Sequence, residues 1–241
     1  MKILISAPIC GAKQYSINQW LQFIADQTHK EYDFALCVNG EGQEELISLL
    51  KQVEITDIHG QTKKPIILVN ELKEGAENTM MLNITHARET LRKYALFNNY
   101  DKIFFLDTDT IPLVRDAIDK LISTKKEAVS GLYCYKESSV PVCVSKKRKT
   151  NPTLEDLREA VEKRELIDLF MFGLGCALID KSVFEKIPFD FAYFGKEKGE
   201  DYGYCWAMQE LTINRYLDPT IVCIHLSEKS QDKQNLMFYP K

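Results

Sequence analysis

No stretch of this 241-residue chain approaches the roughly 20 consecutive apolar residues that a membrane span requires. Its start, MKILISAPIC, also lacks a long apolar core followed by a small-residue cleavage site, so a soluble, cytoplasmic protein is expected. A large excess of charge of one sign is lacking: the net value of -4 gives no general affinity for polyanions, and nucleic acid is not an expected partner. One dense basic run, Lys146-Lys147-Arg148-Lys149, reads as a solvated loop. Cys-x-x-Cys spacing is missing. The seven cysteines are odd in number and mostly lie inside apolar runs, which suits reduced, buried thiols rather than disulfides or a zinc site. Internal repeats, low-complexity tracts and a long linker are lacking too. A single domain over residues 1–241 is therefore expected, with a nucleotide-binding half at 1–112 and an acceptor half plus C-terminal tail at 113–241.

What the chain does have is alternation. KILISAPI is a β-branched run suited to a buried strand. Ser16 and Gln19 match a capping box in front of Ile17, Trp20, Leu21 and Ile24, one stripe of a helix. YDFALCVNG reads as a second strand, EELISLLKQV as a helix and PIILVNE as a third strand. The last leads through Gly75 into a helix carrying Met80, Ile84, Ala87 and Leu91. This order predicts an α/β fold with a mainly parallel central sheet and helices on both faces, because parallel connections need a crossover. Beyond residue 112 the pattern loosens. A helix over Val114–Leu121, strands in AVSGLYCYK and VPVCVS flanking a loop at 137–139, a helix with Leu154, Leu157 and Val161, and a last strand PTIVCIHL ending at His225 are still expected.

The run KIFFLDTDTIP ends a greasy strand on two acids, Asp107 and Asp109. Desolvation penalises like charges in such a place unless a cation holds them. Ligands of parallel sheets bind at the carboxyl ends of strands, and residues two apart on an extended strand point the same way, so both acids could converge on one divalent cation, Mn²⁺ or Mg²⁺. The bland alternative is that one aspartate caps the following helix and the other is solvated. Gly173 and Gly175 bracket Leu174 in a turn that a bulge would also explain. His225 ends an apolar strand, where a lone histidine is ordinarily a satisfied structural residue. Glu200 and Asp201 are adjacent acids, one of which could serve as a general base if burial raises its pKa; otherwise they complement a helix N-terminus.

YDKIFFLDTDTIP resembles the Asp-x-Asp segment of GT-A-fold, nucleotide-sugar-dependent glycosyltransferases, in particular family-2-like enzymes. NITHARETLRKYAL resembles the helix before that strand, FGLGCALIDKSVFEKI the acceptor-side glycine turn, and GEDYGYCW the Glu-Asp motif. The resemblance covers all but the middle of the chain and the tail after His225. It implies a GT-A-like domain that moves a sugar from a nucleoside diphosphate sugar to a hydroxyl acceptor on a glycan, lipid or protein.

Residue by residue, the resemblance implies that Asp109 binds the metal and that Asp107 reaches the ribose, or the metal through water, with Thr108 between them in the donor site. Ala7 and Pro8 would line the base pocket, and Arg88 would touch base or diphosphate, although Glu89 stands where the family has an Asn. Asn39 stands where many members have an acid. Gly173 and Gly175 would let a sugar approach the backbone, and His225 would be a further metal ligand. Asp201 would be the base of a single-step inversion, with Glu200 second and Tyr202, Tyr204 and Trp206 as walls. Two rivals use the same residues. A haloacid-dehalogenase-like, Mg²⁺-dependent phosphatase would use Asp107 as nucleophile, but that motif normally opens its fold and places a glycine before the threonine. A non-catalytic nucleotide-binding module would keep the pocket without turnover.

Overall fold

The computed structural model describes residues 1–39, 42–70, 80–189 and 199–227. The stretch through Gly75 and the tail beyond 227 lie outside them. In chain order the strands of the first half are β1 (Ile3–Ile9), β2 (Tyr32–Val38), the short pair β3 (Ile55–Thr56) and β4 (Thr62–Lys63), β5 (Ile66–Val69) and β6 (Lys102–Leu106). They alternate with helices α1 (Ile17–Ala25), α2 (Glu44–Lys51) and α3 (Met80–Phe97). The second half contains β7 (Thr110–Pro112), α4 (Ala117–Ser123), β8 (Ala128–Leu132), β9 (Cys143–Ser145), α5 (Leu154–Lys163) and β10 (Ile167–Phe172). It closes with β11 (Cys176–Asp180), α6 (Lys181–Phe184), α7 (Gly199–Glu210) and β12 (Arg215–His225).

The described strands other than β3 and β4 form one ten-stranded sheet in the order β5-β2-β1-β6-β11-β8-β12-β10-β9, with β7 added against β12. The expected parallel frame runs through β5, β2, β1 and β6 and recurs between β8 and β12. Strand β11 lies antiparallel between β6 and β8, and the outer β10 and β9 are antiparallel too. Residues of the inner strands are buried on both faces, as a covered parallel sheet requires. Ile3, Ile5, Ala7 and Ile9 pack with Trp20, Leu46 and Ile118 on the α1, α2 and α4 side; Leu4, Ile103 and Phe105 pack with Leu91, Leu157 and Tyr204 on the α3, α5 and α7 side.

One local expectation is corrected. A 3-10 turn over Gly11–Ser16 runs straight into α1, so Ser16 has helical dihedrals and its hydroxyl donates backward to the Lys13 carbonyl at 2.8 Å instead of capping. The capping box forms elsewhere: Thr153 is extended and accepts from the Asp156 N–H at 3.2 Å, while the Asp156 carboxylate accepts from the Thr153 N–H at 2.8 Å.

Candidate functional site

Because β1, β2 and β6 run parallel, their carboxyl ends meet at one edge, and a cavity of about 360 Å³ opens there. Its lining includes Pro8 near the end of β1, Asn39 after β2, Arg88 from α3, Asp107, Thr108 and Asp109 after β6, and Glu200 and Asp201 from the first turn of α7. Residues from five elements and from both halves of the chain thus reach one space.

The two aspartates do not project from an extended strand. β6 stops at Leu106, whose carbonyl accepts from Trp20 Nε1 at 2.9 Å, and the chain turns: Thr110 N–H donates to the Asp107 carbonyl at 2.9 Å. The carboxylates consequently face different partners. Asp107 accepts from Arg88 Nη2 at 3.0 Å, and the same guanidinium donates from Nε to Glu200 Oε1 at 3.1 Å, tying the tip of β6 to α7. Burial works against the Arg88 charge, but Asp107, Glu200 and Asp201 outweigh it and keep the guanidinium charged. Arg88 Nη1 has no hydrogen-bond partner among the described residues.

Asp109 is only 1% exposed. Its Oδ2 receives Lys13 Nζ, with Lys136 Nζ at 2.6 Å, Tyr15 OH at 3.3 Å and His225 Nε2 at 3.6 Å. Burial would raise the Asp109 pKa, yet His225 and Lys13 outweigh it and hold the carboxyl well below the ordinary range. His225 reaches this place because β12 shifts register between Asp218 and Val222 and then pairs with β7, setting His225 opposite Thr110. Its Nδ1 lies 2.9 Å from the Cys134 carbonyl, an acceptor that assigns a proton to Nδ1 and turns Nε2 towards Asp109.

An oxygen and an imidazole nitrogen held face to face suit a divalent cation. Among the described residues no group of three or more His, Cys, Asp or Glu is placed to hold a metal ion. The protein would supply two ligands, and phosphate and water the rest, the usual arrangement for Mg²⁺ beside a phosphorylated substrate. The donor set therefore fits Mn²⁺ or Mg²⁺, provided the lysines leave Oδ2.

Asp201 differs from Asp109 in the sign of its shift. Burial, then the charge of Glu200, pushes the Asp201 carboxyl well above the ordinary range, against the pull of Arg88 and of the Leu174 N–H. Its Oδ1 is sealed from solvent and has no hydrogen-bond partner among the described residues. Glu200 is 8% exposed and paired to Arg88, so neither acid is a solvated charge at a helix end. An upshifted carboxylate on a cavity wall has the chemistry of a general base.

Several expected residues stand elsewhere. Ala7 is fully buried among Ile5, Ile9 and Trp20 and is not on the cavity wall. Gly173 and Gly175 are also off the wall: a Cβ on Gly173 would sit 2.0 Å from the Tyr133 hydroxyl, and one on Gly175 2.8 Å from it, so the space over the turn belongs to Tyr133 and not to a sugar. Tyr204 stacks on Phe189 in the core at 4.4 Å, and Tyr202 stacks on Trp206 at 6.3 Å; none of the three aromatics of α7 lines the cavity. Conversely, Lys13, Cys10, Gln43 and Asn83 line it without having been singled out. Lys13 and Cys10 directly follow β1, the position in a parallel sheet from which they could have been anticipated.

No protein-family model and no curated protein matches the chain. Solved structures do. A mannosyltransferase from Pyrobaculum calidifontis, in complex with GDP-Man and Mn²⁺, matches at TM-score 0.58 and 14% identity over 95% of this chain and 58% of its own. GalNAc-T7 with UDP, GalNAc and Mn²⁺ matches at TM-score 0.65 and 13% identity over 94% of this chain and 44% of its own. The fold is GT-A-like. A crystal structure of a protein from STIV also matches, at TM-score 0.50 and 14% identity over 98% of this chain and 100% of its own. At such identities the GT-A likeness is one of architecture. No described helix is long and apolar enough to cross a membrane.

Proposed function

We propose that this chain is a glycosyltransferase that moves a sugar from a nucleoside diphosphate sugar to a hydroxyl acceptor on a glycan, lipid or protein. The observation that carries the reading is the convergence of Arg88, Asp107, Asp109 and Asp201 on one cavity at the carboxyl ends of β1, β2 and β6. Structural neighbours solved with GDP-Man or UDP and Mn²⁺ support it through the shared fold. Pro8 and Asn39 border the nucleoside, Asp107 and Thr108 face ribose and diphosphate, and Arg88 fixes Asp107 in place while offering Nη1. Asp109 and His225 would hold the divalent cation, Mn²⁺ or Mg²⁺, whose chemistry when bound is to neutralise charge on the departing diphosphate. Asp201 takes the acceptor hydroxyl proton, and Glu200 keeps the Asp201 pKa raised. A single displacement of this kind inverts the anomeric centre.

The phosphatase reading asks Asp107 to attack phosphorus, whereas that carboxylate is engaged by a buried arginine. Incubation with UDP- and GDP-sugars, Mn²⁺ and simple glycoside acceptors tests the proposal. Transfer or donor hydrolysis lost in Asp109→Asn and Asp201→Asn, with a product of inverted configuration, is the expected result. Release of phosphate from a simple ester instead, or turnover that survives both substitutions, refutes it.

A further inference from the structure

Two ammonium groups share one oxygen of Asp109, and a simple structural ion pair does not need two. Lys13 is bonded to Oδ2, Lys136 lies 2.6 Å from it, and Lys136 also donates to Tyr15 OH at 3.0 Å. The carboxylate is buried, but each lysine side chain keeps 35% exposure, so the cations approach from the solvent side on the segments that follow β1 and β8. A carboxylate oxygen offers two lone-pair positions. With Lys13 and Lys136 present both are spoken for, and the acid is over-neutralised by a surplus positive charge beside the cavity that Lys13 lines. The surplus has two consequences. It repels a bare divalent cation, which needs the same oxygen, and it attracts an anion carrying more than one charge.

We propose that Lys13 and Lys136 are phosphate-binding residues held in reserve on Asp109. When a diphosphate enters, the ammonium groups pass from the carboxylate to phosphate oxygens, and that transfer frees Oδ2 for the cation. This rests on the donor reading of the site given above and adds an order to it: nucleotide and metal bind together, each strengthening the other by the same factor.

The test uses the full chain and two readouts besides turnover. Free Mn²⁺ is followed by its electron paramagnetic resonance signal during titration with and without UDP or GDP, and nucleotide affinity is measured calorimetrically with Mn²⁺ and in EDTA. For the unaltered chain, Mn²⁺ alone binds weakly, either nucleotide strengthens it by about tenfold or more, and nucleotide binding persists in EDTA. Lys13→Met and Lys136→Met each weaken nucleotide in EDTA by about tenfold, the scale of one lost charge-assisted bond, while Mn²⁺ alone binds more tightly. Mn²⁺ that binds the unaltered chain equally well without nucleotide, or nucleotide affinity in EDTA that ignores both substitutions, overturns the inference and leaves the donor reading standing. If neither UDP nor GDP binds with or without Mn²⁺, the donor reading falls and the inference with it. The unaltered-chain measurement decides the matter even where a variant does not fold.

Discussion

Asp201 is a carboxyl kept where burial opposes its charge, and such a group trades stability for reactivity. Its raised pKa favours the folded chain only while the group is protonated, and the contribution disappears as pH rises through the folded value. Asp201→Asn should therefore raise the melting temperature at neutral pH, by about 1–2 kcal/mol of stability, while removing turnover; thermal unfolding and product assays on one preparation measure both. Asp109 carries the opposite sign. Its depressed pKa adds stability above the ordinary carboxylate range, lost as pH falls from about 4 toward the folded value. Denaturant titrations should put Asp109→Asn about 3 kcal/mol below the unaltered chain at pH 7, with the gap closing in strong acid. The acids of the site were legible because charge at the end of an apolar run is conspicuous in a string of letters. Lys13 and Lys136 were not, since nothing local distinguishes a surface lysine from one that a turn after β1 or β8 folds back onto Asp109. Ala7 failed for a similar reason: alternation along β1 decides which neighbours turn into the core, and position at a strand tip does not override it.

At the level of the elements, the Gly173-Leu174-Gly175 turn between β10 and β11 is shaped by Tyr133, whose hydroxyl accepts the Gly175 N–H at 3.0 Å. Gly173→Ala places a methyl against that hydroxyl and should destabilise the chain by about 1–3 kcal/mol. Tyr133→Phe removes the clashing oxygen, so the double substitution should be less harmful than the sum of the two, a departure from additivity that equilibrium unfolding of all four forms detects. The sequence marks the turn but not what fills it, because Tyr133 is remote in the chain. Caps show the same limit. Ser16 and Thr153 both stand three residues before a side chain that could complete a capping box, and the difference lies in their own backbone conformation, helical at Ser16 and extended at Thr153.

For the molecule as a whole, the alternation of strand and helix made the parallel frame readable through β6. The antiparallel insertion of β11, the outer strand β10 and the three-residue β7 carry no comparable rhythm. Their pairing depends on long-range partners, and β10 mixes buried and half-exposed positions without a clean period. The thiols report on the packing of the entire chain. All seven cysteines are free, and all but Cys10 are buried, with burial pushing Cys37, Cys143 and Cys205 up to about 12 and Cys134 to about 11. A thiol reagent such as dithionitrobenzoate should label Cys10 first and the others only on unfolding. Since Cys10 lines the cavity, UDP or GDP with Mn²⁺ should slow that first reaction. Equal labelling rates with and without nucleotide would argue against donor binding at this edge.

The ladder between β7 and β12 also sets a sequence of events in time. On a ribosome, Lys13, Asp109 and Lys136 are all synthesised before His225, so a nascent chain contains the aspartate and both of its lysines before the imidazole and the strand that pairs with β7. Translation thus supplies the charged members of the cluster first and the strand that carries the imidazole last.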